Sequence, residues 1–193
     1  MSGDEVFSAE FAQWIALAGN AVFEEPDRVT VSDQGGEIRY PVTVLPDGRW
    51  LVSRAERSGE DVPELRSLDR LDVERYLTVT IGSDLRSSRG YERIQFPSAV
   101  DEVAEPFQVV RLEGRWTGLV DGVSGVRRSV EMVDRTGHPI VKFSHYADVP
   151  LAQIRESFEA ADGGVFRDGV ERARRTTARA AARLAASEAE LGS

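Results

Sequence analysis

At 193 residues, with 41% hydrophobic and 30% charged residues, the chain has the composition of one globular domain able to bury a core. It contains no cysteine, which excludes disulfides, thiolate zinc sites and cysteine nucleophiles. The net charge of −9 disfavours a nucleic-acid binder, because neutralising phosphates requires a basic surface.

The charge is unevenly placed. Of the chain's 24 basic and 33 acidic residues, Val170–Ser193 holds five arginines and three glutamates, a local +2. Residues 1–169 therefore hold 19 basic and 30 acidic groups, or −11, which favours solubility and steers toward basic partners. The opening "MSGDEVFSAE" is acidic and lacks an apolar run, and no stretch reaches about 18 apolar residues. A soluble, cytoplasmic protein without contact to membrane or nucleic acid is expected.

In chain order, Ser8 is placed to cap a first helix whose Phe11, Trp14, Ile15 and Ala18 share one face, with Gly19 as its stop. "RVTVSD" and "EIRYPVTVL" read as strands joined at Gln34-Gly35-Gly36. Pro46-Asp47-Gly48 turns the second into "RWLVSRA" as a hairpin partner. Pro41 inside the middle run suggests a sheet edge or a bulge. "RSGEDVPE" reads as an exposed loop.

Ser67 or Asp69 then caps a second helix carrying Leu68, Leu71, Tyr76 and Leu77, which Gly82 ends or weakens. "YERIQF", "FQVVRLEG" and "RWTGLVDG" read as strands. "RRSVEMVD", the turn Arg135-Thr136-Gly137 and "HPIVKFS" form a further hairpin candidate. Asp148 before Pro150 marks a helix start with Leu151, Ile154 and Phe158 on one side, closed by Gly163-Gly164. The final stretch is rich in alanine and arginine and favours a helix that buries little area, free to extend, fray or dock on a partner. The expected fold is α+β, with a mostly antiparallel sheet flanked by helices. The expected division is a domain over 1–169 and a C-terminal helical extension over 170–193.

No chemistry stands out. His138 and His145 flank an expected strand and lack further ligands at metal spacing. Ser144-His145 with Asp148 has the residue types of a triad, but neighbours on a strand point to opposite faces, and no G-x-S-x-G elbow occurs. Core packing for His145 and Tyr146 and a cap role for Asp148 are the simpler reading. Neither catalytic residues, nor a bound metal, nor a cofactor is expected. Trp50 and Trp116 read either as core or as exposed anchors of an interface. The loop Arg57-Ser58-Gly59-Glu60-Asp61 follows a strong hairpin strand and precedes a capped helix. Held ends and a free polar tip suit recognition as well as a solvated turn.

Four stretches in order resemble a known family: "GGEIRY" (35–40), "RWLVSRAER" (49–57), "VERYL" (73–77) and "SHYADVPLAQIRESF" (144–158). Together they are similar to the actinobacterial toxin-immunity proteins of the immunity protein 61 family, over roughly residues 8–168. The resemblance implies an antitoxin of a polymorphic toxin system, not an enzyme. Its partner would be a cognate secreted toxin protein, an NAD glycohydrolase in the best-known case, whose NAD pocket it would occlude. On that reading Arg57, Ser58, Gly59, Glu60 and Asp61, with Trp50 and Trp116, are the candidate toxin-binding residues. Glu60 and Asp61 would meet cationic groups that hold a dinucleotide's phosphates. The rival readings are a secretion chaperone using the C-terminal helix and a small hydrolase built on Asp and Glu.

Overall fold

The structure, a computed structural model, describes residues 7–135 and 138–191. The expected turn at Thr136-Gly137 and most of the acidic N-terminus lie outside the described residues. Ser8 accepts from the Phe11 amide and opens α1 (Ala9–Leu17), which buries Phe11, Trp14 and Ile15. A five-strand meander follows: β1 (Asn20–Glu24), β2 (Arg28–Asp33), β3 (Ile38–Val44), β4 (Trp50–Glu56) and β5 (Val62–Ser67). After α2 (Arg70–Ser88) come β6 (Phe107–Arg111), β7 (Trp116–Asp121) and β8 (Arg127–Val133). Then α3 (Pro139–Ser144), α4 (Leu151–Glu159) and α5 (Arg167–Leu191) complete the chain.

The fold is α+β. The eight strands of the described residues form one sheet in the order β1-β2-β3-β4-β5-β8-β7-β6, with each neighbouring pair antiparallel. Strand alternation sends Val29, Val31, Val42, Val52, Leu65, Leu119 and Met132 into one core with Phe11, Leu77, Phe143 and Phe158 of the helices. The intervening residues form a second face, where the long side chains of Arg28, Arg39, Arg49 and Arg66 lie over the sheet. No described helix is long and apolar enough to cross a membrane.

Several local expectations give way to tertiary context. Pro41 is buried on the interior strand β3, opposite Thr30. The β3–β4 ladder pairs Arg39 with Ala55 and Val42 with Val52, skipping Tyr40 and Pro41, so the missing N–H costs no regular ladder bond. "RSGEDVPE" is loop only to Asp61, because β5 is recruited between β4 and β8. There Leu65 pairs with Val52 but Pro63 with Ser53, which leaves Glu64 as the extra residue of a bulge. The bulge turns Glu64, 3% exposed, toward α2, where it accepts from the Tyr76 hydroxyl and from Arg135.

Asp69 caps α2, and Ser67 braces it by accepting from the Asp69 amide. Leu68 and Leu71 are exposed, so they lie off the buried stripe of Val73, Leu77, Ile81 and Leu85. Gly82 does not end the helix; a Cβ there would stand 2.6 Å from the Phe158 ring, so glycine lets α4 pack against α2. "YERIQF" is irregular and not a strand, with the Gln95 amide bonded to Gly169. "HPIVKFS" is the helix α3, with proline in its first turn. Asp148 is no cap: it pairs with Arg128, and α4 begins after Pro150. Helix α5 begins at Arg167, and its first turns bury Val170 and Ala173.

Candidate functional site

The loop from Arg57 to Asp61 closes the β4–β5 hairpin. Arg57 takes φ +52°, a left-handed conformation, and is tied down three ways. Its amide donates to Glu37 O at 2.8 Å, its Nε to Glu37 Oε2 at 2.7 Å, and its carbonyl accepts from Arg39 Nη2 at 2.7 Å. Asp61 accepts from Arg28 Nη1 at 2.8 Å. The Gly59 amide closes on Glu56 O, which a Cβ at Gly59 would approach to 2.9 Å. Ser58, Gly59 and Glu60 form the exposed tip of a loop whose ends are fixed by neighbouring strands.

The two tryptophans lie elsewhere. Trp50 starts β4 at the end away from the loop and packs against the core. Trp116 lies on the second sheet face, with the Arg66 guanidinium 4.2 Å over its ring. Beside it, Glu131 is only 5% exposed and receives Arg66 Nε at 2.6 Å and Arg49 Nη1 at 3.3 Å. Trp50 is thus at the opposite end of β4 from the loop, and Trp116 is on β7, two strands away from β5. Side-chain partners across the sheet, Arg28 and Arg39 for the loop and Arg66 for Trp116, carried no local signal in the sequence.

The Ser-His-Tyr stretch forms the end of α3 and the turn after it. Ser144 Oγ donates to Val141 O at 2.6 Å and accepts from the Ala104 amide at 2.9 Å. His145 Nε2 bonds Glu102 O at 2.9 Å, and burial lowers its pKa. Tyr146 is buried against Phe143 and Phe96, and desolvation raises its phenol. Serine and histidine thus serve different backbone partners, which join α3 to the segment before β6.

The largest cavity described, about 830 Å³, lies between α4, α5 and the 95–97 segment and reaches His145 and Phe166. Its carboxylates, Asp148, Asp168 and Glu171, are exposed. A second, of about 390 Å³, opens beside Tyr76, Arg54 and Glu64. The two carboxyls that burial raises, Asp72 and Asp84, line neither. Among the described residues, no group of three or more histidine, aspartate and glutamate side chains could hold a metal ion.

These surfaces belong to a toxin-immunity fold. The chain is a member of the immunity protein 61 family, whose model matches residues 14–164. It is 25% identical over 162 residues to the "Immunity factor for TNT" of Mycobacterium tuberculosis (strain ATCC 25618 / H37Rv), covering 81% of this chain and 89% of the relative. The "Immunity factor for TNT homolog" of Mycobacterium bovis (strain BCG / Pasteur 1173P2) matches to the same extent. In fold, the chain is similar to the solved structure "Rv3902c from M. tuberculosis", with TM-score 0.71, 24% identity, and 81% and 91% of the two chains covered. Helix α5 lies beyond the residues that the family model matches.

Proposed function

We propose that this protein is a cytoplasmic antitoxin that binds a cognate secreted toxin domain, an NAD glycohydrolase, and neutralises it stoichiometrically by occluding its NAD pocket. Family membership across residues 14–164, with relatives named as immunity factors for TNT, carries this reading. In it, the tip Ser58-Gly59-Glu60 enters the toxin's cleft while Arg57 and Asp61 hold the loop's shape. Glu60 supplies the anionic acceptor. Trp116 and its stacked Arg66 form a separate flank, and Trp50 supports the strand that presents the loop. A tight complex of this kind buries on the order of 1,600 Å².

The test is to titrate this protein into its cognate toxin domain and follow NAD hydrolysis. Loss of activity at one equivalent is expected. A stable complex whose toxin remains active would instead identify a chaperone. Glu60→Lys and Ser58→Trp, both at exposed positions, should each weaken inhibition at least tenfold without changing the melting temperature. Full inhibition by both would remove the loop from the interface.

A further inference from the structure

We infer that the groove between α2 and α5, together with the free end of α5, is a docking site for an acidic amphipathic helix of a partner protein other than the toxin. The groove, of about 590 Å³, has Val79, Phe96 and Ala173 in its apolar lining, and Thr177 continues it along α5. Its charged lining residues are Arg93 and Lys142, and it contains no carboxylate. Both cations are exposed, and neither has an ion-pair partner among the described residues. On a chain of net charge −9, a groove with only positive lining charges is the exception.

Helix α5 extends the same surface past the body. At about 100° per residue, Ala173, Thr177, Ala180 and Leu184 fall on one side. Ala173 is buried and Thr177 lines the groove, while Leu184 is 67% exposed. Arg172, Arg179 and Arg183 run along one flank of this stripe and Arg174 lies on the other. Arg172 is held by Glu102, whereas Arg174, Arg179 and Arg183 have no carboxylate partner among the described residues. The root of the helix is fixed. Val170 is buried, Gly169 abuts Ile94 and Gln95, and the Thr176 hydroxyl bonds Gln95 Oε1 at 3.2 Å.

This arrangement selects the occupant. A groove lined by Val79 and Phe96, continued by Leu184 and flanked by Arg174, Arg179 and Arg183, which have no carboxylate partner among the described residues, matches a helix with leucines on one side and carboxylates beside them. A second α5 is disfavoured because it would bring arginines against arginines. Nucleic acid is disfavoured by the acidic body and offers no apolar complement to Leu184. Helix α5 lies beyond residues 14–164, so one wall of the groove and its extension along Leu184 are not part of the span that the family model matches, while Val79, Arg93, Phe96 and Lys142 are.

The probe is a fluorescein-labelled synthetic helix of leucine and glutamate heptads, titrated with the full chain by anisotropy at low and moderate salt. Salt-sensitive binding is expected. It should weaken tenfold or more in Leu184→Asp, in the pair Arg179→Glu and Arg183→Glu, and in Lys142→Glu, with unchanged melting temperatures and full toxin inhibition. Absence of binding, or equal binding by the variants, overturns the proposal. So does tighter binding of a DNA duplex, or a sedimenting dimer that Leu184→Asp dissolves. Lost toxin inhibition in these variants would place the surface in the toxin interface and overturn the separate partner. Retained inhibition with lost peptide binding supports it.

Discussion

The guanidinium of Arg86 donates to the carbonyl oxygen of Ala160 at 2.6 Å from a position only 1% exposed. Its other donors reach Ser157 O, Ala161 O and Glu92 O. All of these partners are carbonyls, and most come from the last turn of α4 and just beyond, where unpaired carbonyls concentrate negative partial charge. One α2 side chain thus terminates α4. Desolvation lowers its pKa, yet a guanidinium keeps its charge there.

Replacing Arg86 with Met should cost about 3–5 kcal/mol, because several buried carbonyls lose their donors together. Arg86→Lys should recover little, since an ammonium cannot spread its donors as a planar fork does. Urea unfolding reads both. A loss below about 1 kcal/mol would show that water replaces the guanidinium.

Gly82→Ala should destabilise by about 1–3 kcal/mol, although alanine is the better helix former. The added methyl meets the Phe158 ring at 2.6 Å. Pairing it with Phe158→Leu should recover part of the loss, and a double-mutant cycle measures the coupling. Additive effects would mean that the two sites relax independently.

Much of the fold is written locally, and the exceptions share a cause. Ser8 with Phe11, Trp14 and Ile15, and the Pro46-Asp47-Gly48 turn, act within a few residues and are legible in the sequence. Strand β5 is not: Pro63 and flanking charges make its first residues, 62–64, look like a loop, and its pairing comes from β4 and β8 on either side. "HPIVKFS" has strand-like residue types, but its context makes it helix α3. The tip of the candidate loop was readable. Its clamps were not, since Arg28 and Arg39 lie 33 and 18 residues from their bonding partners Asp61 and Arg57.

Ser144→Ala should cost about 1–2 kcal/mol by leaving the Ala104 amide without its acceptor. Toxin affinity of the folded variant should stay unchanged. A native melting curve combined with lost binding would instead place Ser144 at the interface.

His145 gives a pH dependence with a defined sign. Burial is the main cause that lowers its pKa, with Arg172 adding to it against the Glu102 carbonyl. The unfolded chain therefore takes up the proton more readily. Stability should be level above the ordinary histidine pKa of about 6.5 and fall as pH drops through it. His145→Gln should flatten this loss between about pH 7.5 and 5.5, as read by thermal unfolding. An unchanged slope would assign the proton elsewhere.

Truncation after Asp168 removes buried Val170 and Ala173 and the Arg172–Glu102 pair, and should cost about 2–3 kcal/mol. Truncation after Thr177 should leave the melting temperature within about a degree or two, because the described side chains past that point are exposed. Equal melting curves for both would show that the root of α5 contributes nothing to the core.

The sheet also sets an order of assembly. Apart from the β5–β8 pairing, every strand pairs only with its neighbours in the chain, so β1–β5 and β6–β8 each close as a meander through short turns. The two meet at β5 and β8 through Leu65 opposite Met132 and Arg66 opposite Glu131, more than 60 residues apart in the chain. Closing that seam carries a large loop entropy for little ladder. Its closure is therefore expected to limit folding, and Met132→Ala should slow refolding more than a similar truncation at Val31, inside the first meander.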